Sequence, residues 1–452
     1  MTTHESAKKD TAPCFNAPAG FIIGWHDQGV IRATGIRYAY ANRFQPPVPI
    51  PPAQEPIMAT TWAPACPQPA VPPLNQVLGG SPIAHLETDE HCQRLSITLP
   101  ANAPSEGLPV MVWIHGGSYT SGAGDATVFD PKALVMEQQV IVVSITYRLG
   151  LFGFLGGYSH RAANLGLLDI IEAIRWVKIN ISAFGGDPNN VTLFGHSAGG
   201  DAVAHLMIAE GTENLFQRVI IQSAPLGIST GRRKMTEAMA KMAARVPDDA
   251  IIEEIIAQQA TISSVTKKFG LKAGMPFGTQ YGHAPLPNEH ELETAWLRCS
   301  SRYDVLIGFT AEETSLFLPR MKLLQRVTKL PLIGKIIKSL LVRITTKKVY
   351  ADAARQFAKR HAKGGGRVYL YKITWGSKTN DFGATHTIDL PLLFGDKETW
   401  QKSELTKGIP WSEIQHHGQE IRALWAQFAR SGQLKKKVLL KPGFITCQLI
   451  EE

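Results

Sequence analysis

Ser197 lies in the run Gly195-His196-Ser197-Ala198-Gly199, directly behind the apolar stretch Val191-Thr192-Leu193-Phe194 and ahead of a small-residue helical segment. A strand that turns sharply into a helix lifts its central residue clear of the sheet, and only small flanking residues leave room for that bend. Gly195 and Gly199 meet this need, and the first free N–H groups of the following helix then face whatever the hydroxyl attacks. A second apolar run, Val110-Met111-Val112-Trp113-Ile114, leads into His115-Gly116-Gly117-Ser118-Tyr119. Glycines there let main-chain N–H groups approach a developing oxyanion, where each donor lowers the barrier by roughly 3 kcal/mol. Singly, the first motif is a common chance match and the second an ordinary strand-to-loop turn. Together they describe a hydroxyl nucleophile with its anion stabiliser.

A serine hydroxyl is a poor nucleophile at neutral pH, so a base must take its proton and a buried acid must orient that base. On a sheet of this kind the acid and the histidine follow the serine in that order, each on a loop after a later strand. The strand-like run Asp304–Ile307 precedes a loop carrying Glu312 and Glu313, and the run Val368–Tyr371 precedes a loop ending in His386. Position alone leaves Glu312 level with Glu313. It also leaves His205, His283, His361, His416 and His417 beside His386 as candidates.

The elements that must position these residues are strand-like runs at 95–99, 110–114, 140–147, 191–194, 219–221, 304–307 and 368–371, alternating with helical patterns over 164–184 and around 421–428. The pattern predicts an α/β fold with a large, mostly parallel central sheet flanked by helices. Short β-like runs between Phe21 and Tyr38, broken at Asp27-Gln28-Gly29, predict an N-terminal antiparallel hairpin. The proline-dense stretch from Pro46 to Pro73 predicts extended surface chain. No linker interrupts the 452 residues, which are expected to form one domain over 1–452 with cap or insertion segments at 228–300 and 314–365.

The composition, 44% hydrophobic and 19% charged, is that of an ordinary globular chain. The first ten residues lack the apolar stretch of a secretion signal, so a cytoplasmic location is expected unless such a signal has been removed. Five cysteines without a Cys-x-x-Cys pair predict no metal site. The formal charge of +9 accompanies no nucleic-acid motif and is concentrated: from Thr314 to Tyr350 there is no acidic residue, while nine Lys and Arg accumulate. Within it, residues 319–348 interleave aliphatic and cationic side chains. Such a pattern can lie in a membrane surface. The preferred expectation is a helical hairpin, split at Pro331 and Gly334, that packs its apolar side on the body and solvates its lysines. The run Lys435-Lys436-Lys437 is expected to be a solvated loop.

The chain resembles the type-B carboxylesterases, the cholinesterase-like and nitrobenzyl esterase-like serine esterases with an α/β-hydrolase fold. The likeness is carried by Gly35–Ala39, Glu90-His91-Cys92, Trp113–Gly117, the long block from Asn164 through Asp169, Asn180-Ile181 and Phe184–Pro188 to Gly200, and Gln222-Ser223. It continues in the Glu312-Glu313 loop, Gly383–His386 with Phe394-Gly395, and Trp425–Ala429. The resemblance implies Ser197 as nucleophile, His386 as base and Glu313 as acid, with Ser223 in support. It also implies an oxyanion hole of the Gly117, Ser118 and Ala198 N–H groups, with Gly116 serving the turn. Cys66 and Cys92 fall where the family has a disulfide. No cofactor is implied. The reaction implied is hydrolysis of a small-molecule carboxylic ester through an acyl-enzyme; an acyltransferase using the same site, or a non-catalytic binding protein, are the alternatives. Three departures stand out: His196 replaces the usual glutamate, Ser118 a glycine or alanine, and Thr314 a glycine. The chain is also shorter than typical relatives on both sides of the acid.

Overall fold

The computed structural model describes residues 12–102, 107–317, 333–434 and 437–451. Its main sheet has eleven strands in the spatial order 437–441, 445–449, 368–373, 304–310, 218–222, 186–196, 108–114, 141–146, 94–100, 30–37 and 25–27. The six strands from 368–373 to 141–146 are mutually parallel. Every pairing outside this centre is antiparallel. The expectation of a mostly parallel sheet therefore holds for the middle and not for the rims.

The central strands read as nearly continuous apolar runs because both faces are covered. Alternate residues serve opposite sides. Val110, Val112 and Ile114 join the core under the helices Leu165–Asn180 and Ala198–Leu206. Met111 and Trp113 join the core under Trp411–Ser431, where Trp113 packs on Phe194 and Phe394. In the helix Leu165–Asn180, Leu167, Ile170, Ile171, Ile174 and Val177 are fully buried at helical spacing. Asn164 precedes it with φ 57°, and its side-chain amide donates to the carbonyl of Gln280 (2.8 Å) while its oxygen accepts the Gln280 N–H (2.8 Å). One residue thus fastens the 228–300 segment, largely helical, to the body.

The N-terminal hairpin forms as expected: Trp25–Asp27 pairs antiparallel with Val30–Arg37, and Gln28 and Gly29 both take positive φ, as a two-residue hairpin turn requires. Residues 318–332, and with them the first half of the expected basic hairpin, lie outside the described residues. Beyond them Ile333–Thr346 is a helix, continued by a π-turn at Lys347–Ala351 and the helix Asp352–Lys363. Lys437 opens the strand Lys437–Lys441 rather than closing a loop; Lys435 and Lys436 lie outside the described residues. Among the described residues, no helix is long and apolar enough to cross a membrane.

Candidate active site

Parallel neighbours bring the loops after 108–114, 186–196, 304–310 and 368–373 to one rim of the sheet, the carboxyl end where such folds bind ligands. At the elbow, Ser197 has φ 58° and ψ −123°, a conformation that L-residues adopt only under constraint. The constraint is crowding. A Cβ on Gly199 would lie 2.0 Å from the Ile114 carbonyl oxygen, and one on Gly116 would lie 2.5 Å from that of His196. The Ser197 N–H donates to the Gln222 carbonyl of the adjacent strand (2.8 Å).

After the neighbouring strand the chain turns through three successive positive φ values, Gly117 122°, Ser118 56° and Tyr119 58°, and the Gly117 carbonyl accepts the N–H groups of Thr120 and Ser121. Among the described residues no hydrogen bond engages the N–H groups of Gly117, Ser118 or Ala198. Such donors, fixed by backbone and unspent, are what an anion site requires.

Of the two glutamates, Glu313 is the one that contacts His386. Glu313 is fully buried, and its Oε2 lies 2.5 Å from His386 Nδ1 while its Oε1 accepts the Thr310 N–H (2.7 Å). Glu312 instead accepts the Ala384 N–H (2.9 Å) and braces the histidine loop. Ser315 Oγ joins the same two loops through the Phe382 carbonyl (2.6 Å). Burial pushes the Glu313 carboxyl up, against the opposing hydroxyls of Ser223 and Thr310. Burial also pushes His386 down, so its imidazole rests neutral and able to accept a proton.

The other histidines are engaged elsewhere. His205 contacts the Asp201 carbonyl and Tyr281, His361 the Tyr303 carbonyl, and His283 packs beside Gly157. His416 and His417 share Glu420 on the helix Trp411–Ser431; these three offer ligand atoms within 4.8 Å of one another, outside the cavity that holds Ser197. That cavity, of about 370 Å³, is lined by Ser197, His386, His196, Gly117 and Ser118, with apolar walls that include Leu74, Ile83, Phe129, Phe317 and Trp400.

Sequence reasoning missed a second histidine–carboxylate pair. His196 Nε2 lies 3.6 Å from Asp389 Oδ1, and Asp389 Oδ2 accepts from Gln222 Nε2 (2.9 Å). The His196 ring stands 4.5 Å from that of His386, centroid to centroid. Burial holds His196 far below its ordinary value, at about 3, so it adds no positive charge beside His386. Tyr350, from the π-turn, packs on another side of the His386 ring at 5.4 Å. Asp389 stands only three residues beyond His386, the one signal that could have found it.

Cys66 and Cys92, the pair that the resemblance implies, are buried neighbours and stand as free thiols in this structure. Cys66 Sγ accepts the Leu149 N–H (3.3 Å), and burial, then Cys66, raises the Cys92 thiol well above its usual range.

The carboxylesterase family model matches residues 13–331. A probable N-octanoylanthranilate hydrolase of Rhodococcus erythropolis is 34% identical, over 92% of this chain and 93% of that protein. The para-nitrobenzyl esterase of Bacillus subtilis is 30% identical over 94% and 91%. The solved structure of a thermophilic PNB esterase superposes with a TM-score of 0.80, covering 97% of this chain and 98% of the other at 26% identity. With the α/β-hydrolase fold and the carboxyl-end site already in place, this chain belongs to the carboxylesterase family and is a carboxylic-ester hydrolase.

Proposed function

We propose that Ser197, His386 and Glu313 form a catalytic triad that hydrolyses small-molecule esters with apolar acyl groups through an acyl-enzyme. Ser197 Oγ attacks the ester carbonyl carbon as its proton passes to His386 Nε2, and the carbonyl oxygen takes its negative charge among the Gly117, Ser118 and Ala198 N–H groups. Glu313 holds the imidazole by Nδ1 and stabilises the imidazolium. His386 then protonates the departing alkoxide. Water, deprotonated by the same histidine, attacks the acyl-serine, and the carboxylic acid leaves as Ser197 recovers its proton. The observation that carries this reading is the 2.5 Å contact between His386 Nδ1 and Glu313 Oε2, with His386 and Ser197 lining one cavity.

Ser197→Ala is expected to abolish turnover of p-nitrophenyl esters while leaving the melting temperature intact; undiminished turnover refutes the assignment. A series from acetate to palmitate reads the acyl preference. A second reading is favoured by the Rhodococcus relative, a probable N-octanoylanthranilate hydrolase: the same steps cleave a medium-chain anilide, with His386 protonating the departing amine. Release of aniline from N-octanoylaniline, lost in Ser197→Ala, separates the two.

A further inference from the structure

The helix Ile333–Thr346 carries hydrocarbon on both sides, one seated by threonine hydrogen bonds and the other open. On the inner side the Thr314 hydroxyl donates to the Val342 carbonyl (3.2 Å) and meets Thr345 Oγ1 (2.6 Å), while Val342 and Thr346 are buried. This seats the helix against the residue that follows Glu313. On the outer side Ile336, Leu340 and Ile344, spaced by four, are 70%, 55% and 51% exposed. They form one aliphatic stripe along two turns. Each is preceded in sequence by a residue of the exposed neighbouring row, Lys335, Ser339 and Arg343, and that row continues to Lys347. The expected packing of the apolar side on the body is thus only half realised.

We propose that this outer face docks on an anionic lipid surface. Single exposed aliphatic residues need no explanation, but three in a line flanked by a row with Lys335, Arg343 and Lys347 form an interfacial pattern. The aliphatic groups can enter the acyl boundary while Lys335, Arg343 and Lys347 extend their stems to the headgroups. Charge decides the partner. Residues 314–350 carry no carboxylate of their own, and among the described residues the two from elsewhere that reach this helix are each matched to a lysine: Asp381 to Lys338, and Asp352, 4.0 Å from Lys347. A zwitterionic bilayer would satisfy the stripe but not the cationic row, whereas an anionic one satisfies both. Because the inner side of this helix abuts the acid loop, docking would bring the catalytic rim close to a lipid phase.

The test is co-sedimentation of the full chain with vesicles of phosphatidylcholine containing about 30% phosphatidylglycerol, at about 50 mM salt where screening is weak. Binding to these vesicles is expected, with little to pure phosphatidylcholine and with release as salt rises. The variant Ile336→Ser/Leu340→Ser/Ile344→Ser and the separate variant Lys335→Glu/Arg343→Glu/Lys347→Glu should each bind at least tenfold more weakly. Both should keep p-nitrophenyl acetate hydrolysis, which certifies the fold. Unaltered protein left in the supernatant overturns the proposal, as does equal binding by the charge-reversal variant. A dimer that the serine variant abolishes, without vesicle binding, assigns the stripe to a second copy and overturns it too.

Discussion

Replacing Glu313 by glutamine tests the electrostatic half of the mechanism with little change of shape. The carboxyl is fully buried and its Oε2 stands 2.5 Å from His386 Nδ1, so a charge on the carboxylate and one on the imidazolium have centres about 4 Å apart. At an effective dielectric of about 20 that attraction is worth about 4 kcal/mol, which at about 1.4 kcal/mol per tenfold is roughly a thousandfold in rate. The loss should fall on kcat, because the imidazolium exists only once the proton has moved, and KM should change little. Stability should not fall, since burial already disfavours the Glu313 charge. The assay is steady-state hydrolysis of p-nitrophenyl butyrate alongside a melting curve. Glu312→Gln is the internal control. It weakens a hydrogen bond to the Ala384 N–H and should cost less than tenfold. Glu313→Gln within tenfold of the unaltered protein, or Glu312→Gln the more damaging of the two, would falsify the assignment of the acid.

Two further outcomes concern stability. Gly199→Ala drives a methyl toward the Ile114 carbonyl and should lower stability by about 1–3 kcal/mol, together with activity, because the elbow must widen to admit it; an unchanged urea midpoint would contradict the crowding argument. Burial holds His115 at about 4, His196 at about 3 and His361 at about 4. These folded values lie below the ordinary one of about 6.5, so the unfolded chain binds more protons there, and stability is lost as pH falls from about 6.5 toward 4. His386, held by burial at about 3, acts in the same sense, while Asp125 and Glu313, raised by burial to about 6 and about 7, work the other way but are two groups against four. The urea midpoint should therefore fall from pH 7 to pH 5, and a rise would show that these imidazoles are not kept neutral.

The elbow and the glycine loop were legible because each is local: a strand, a turn and a helix start occupy a dozen consecutive residues, and small side chains mark the turn. The proposed acid and base were legible only as loops after later strands, since whether Glu312 or Glu313 meets His386 depends on which carboxylate turns inward, a matter of packing between elements. The pair His196–Asp389 was invisible for the same reason, its members meeting only when the elbow strand and the histidine loop share a rim. At the sheet's end, Lys435–Lys437 masked the start of a strand whose turn signal, Pro442-Gly443, lies on its far side. The aliphatic stripe of Ile333–Thr346 escaped because that helix carries apolar residues on both of its sides.

A ribbon of eleven strands has two open selvedges, and unpaired selvedges invite other chains to add themselves. In this molecule one is closed by Trp25–Asp27, too short to template more than a bond or two, and the other by Lys437–Lys441, which begins and ends with lysine. The antiparallel additions thus give the parallel centre blunt ends that offer little to a strand arriving from another chain.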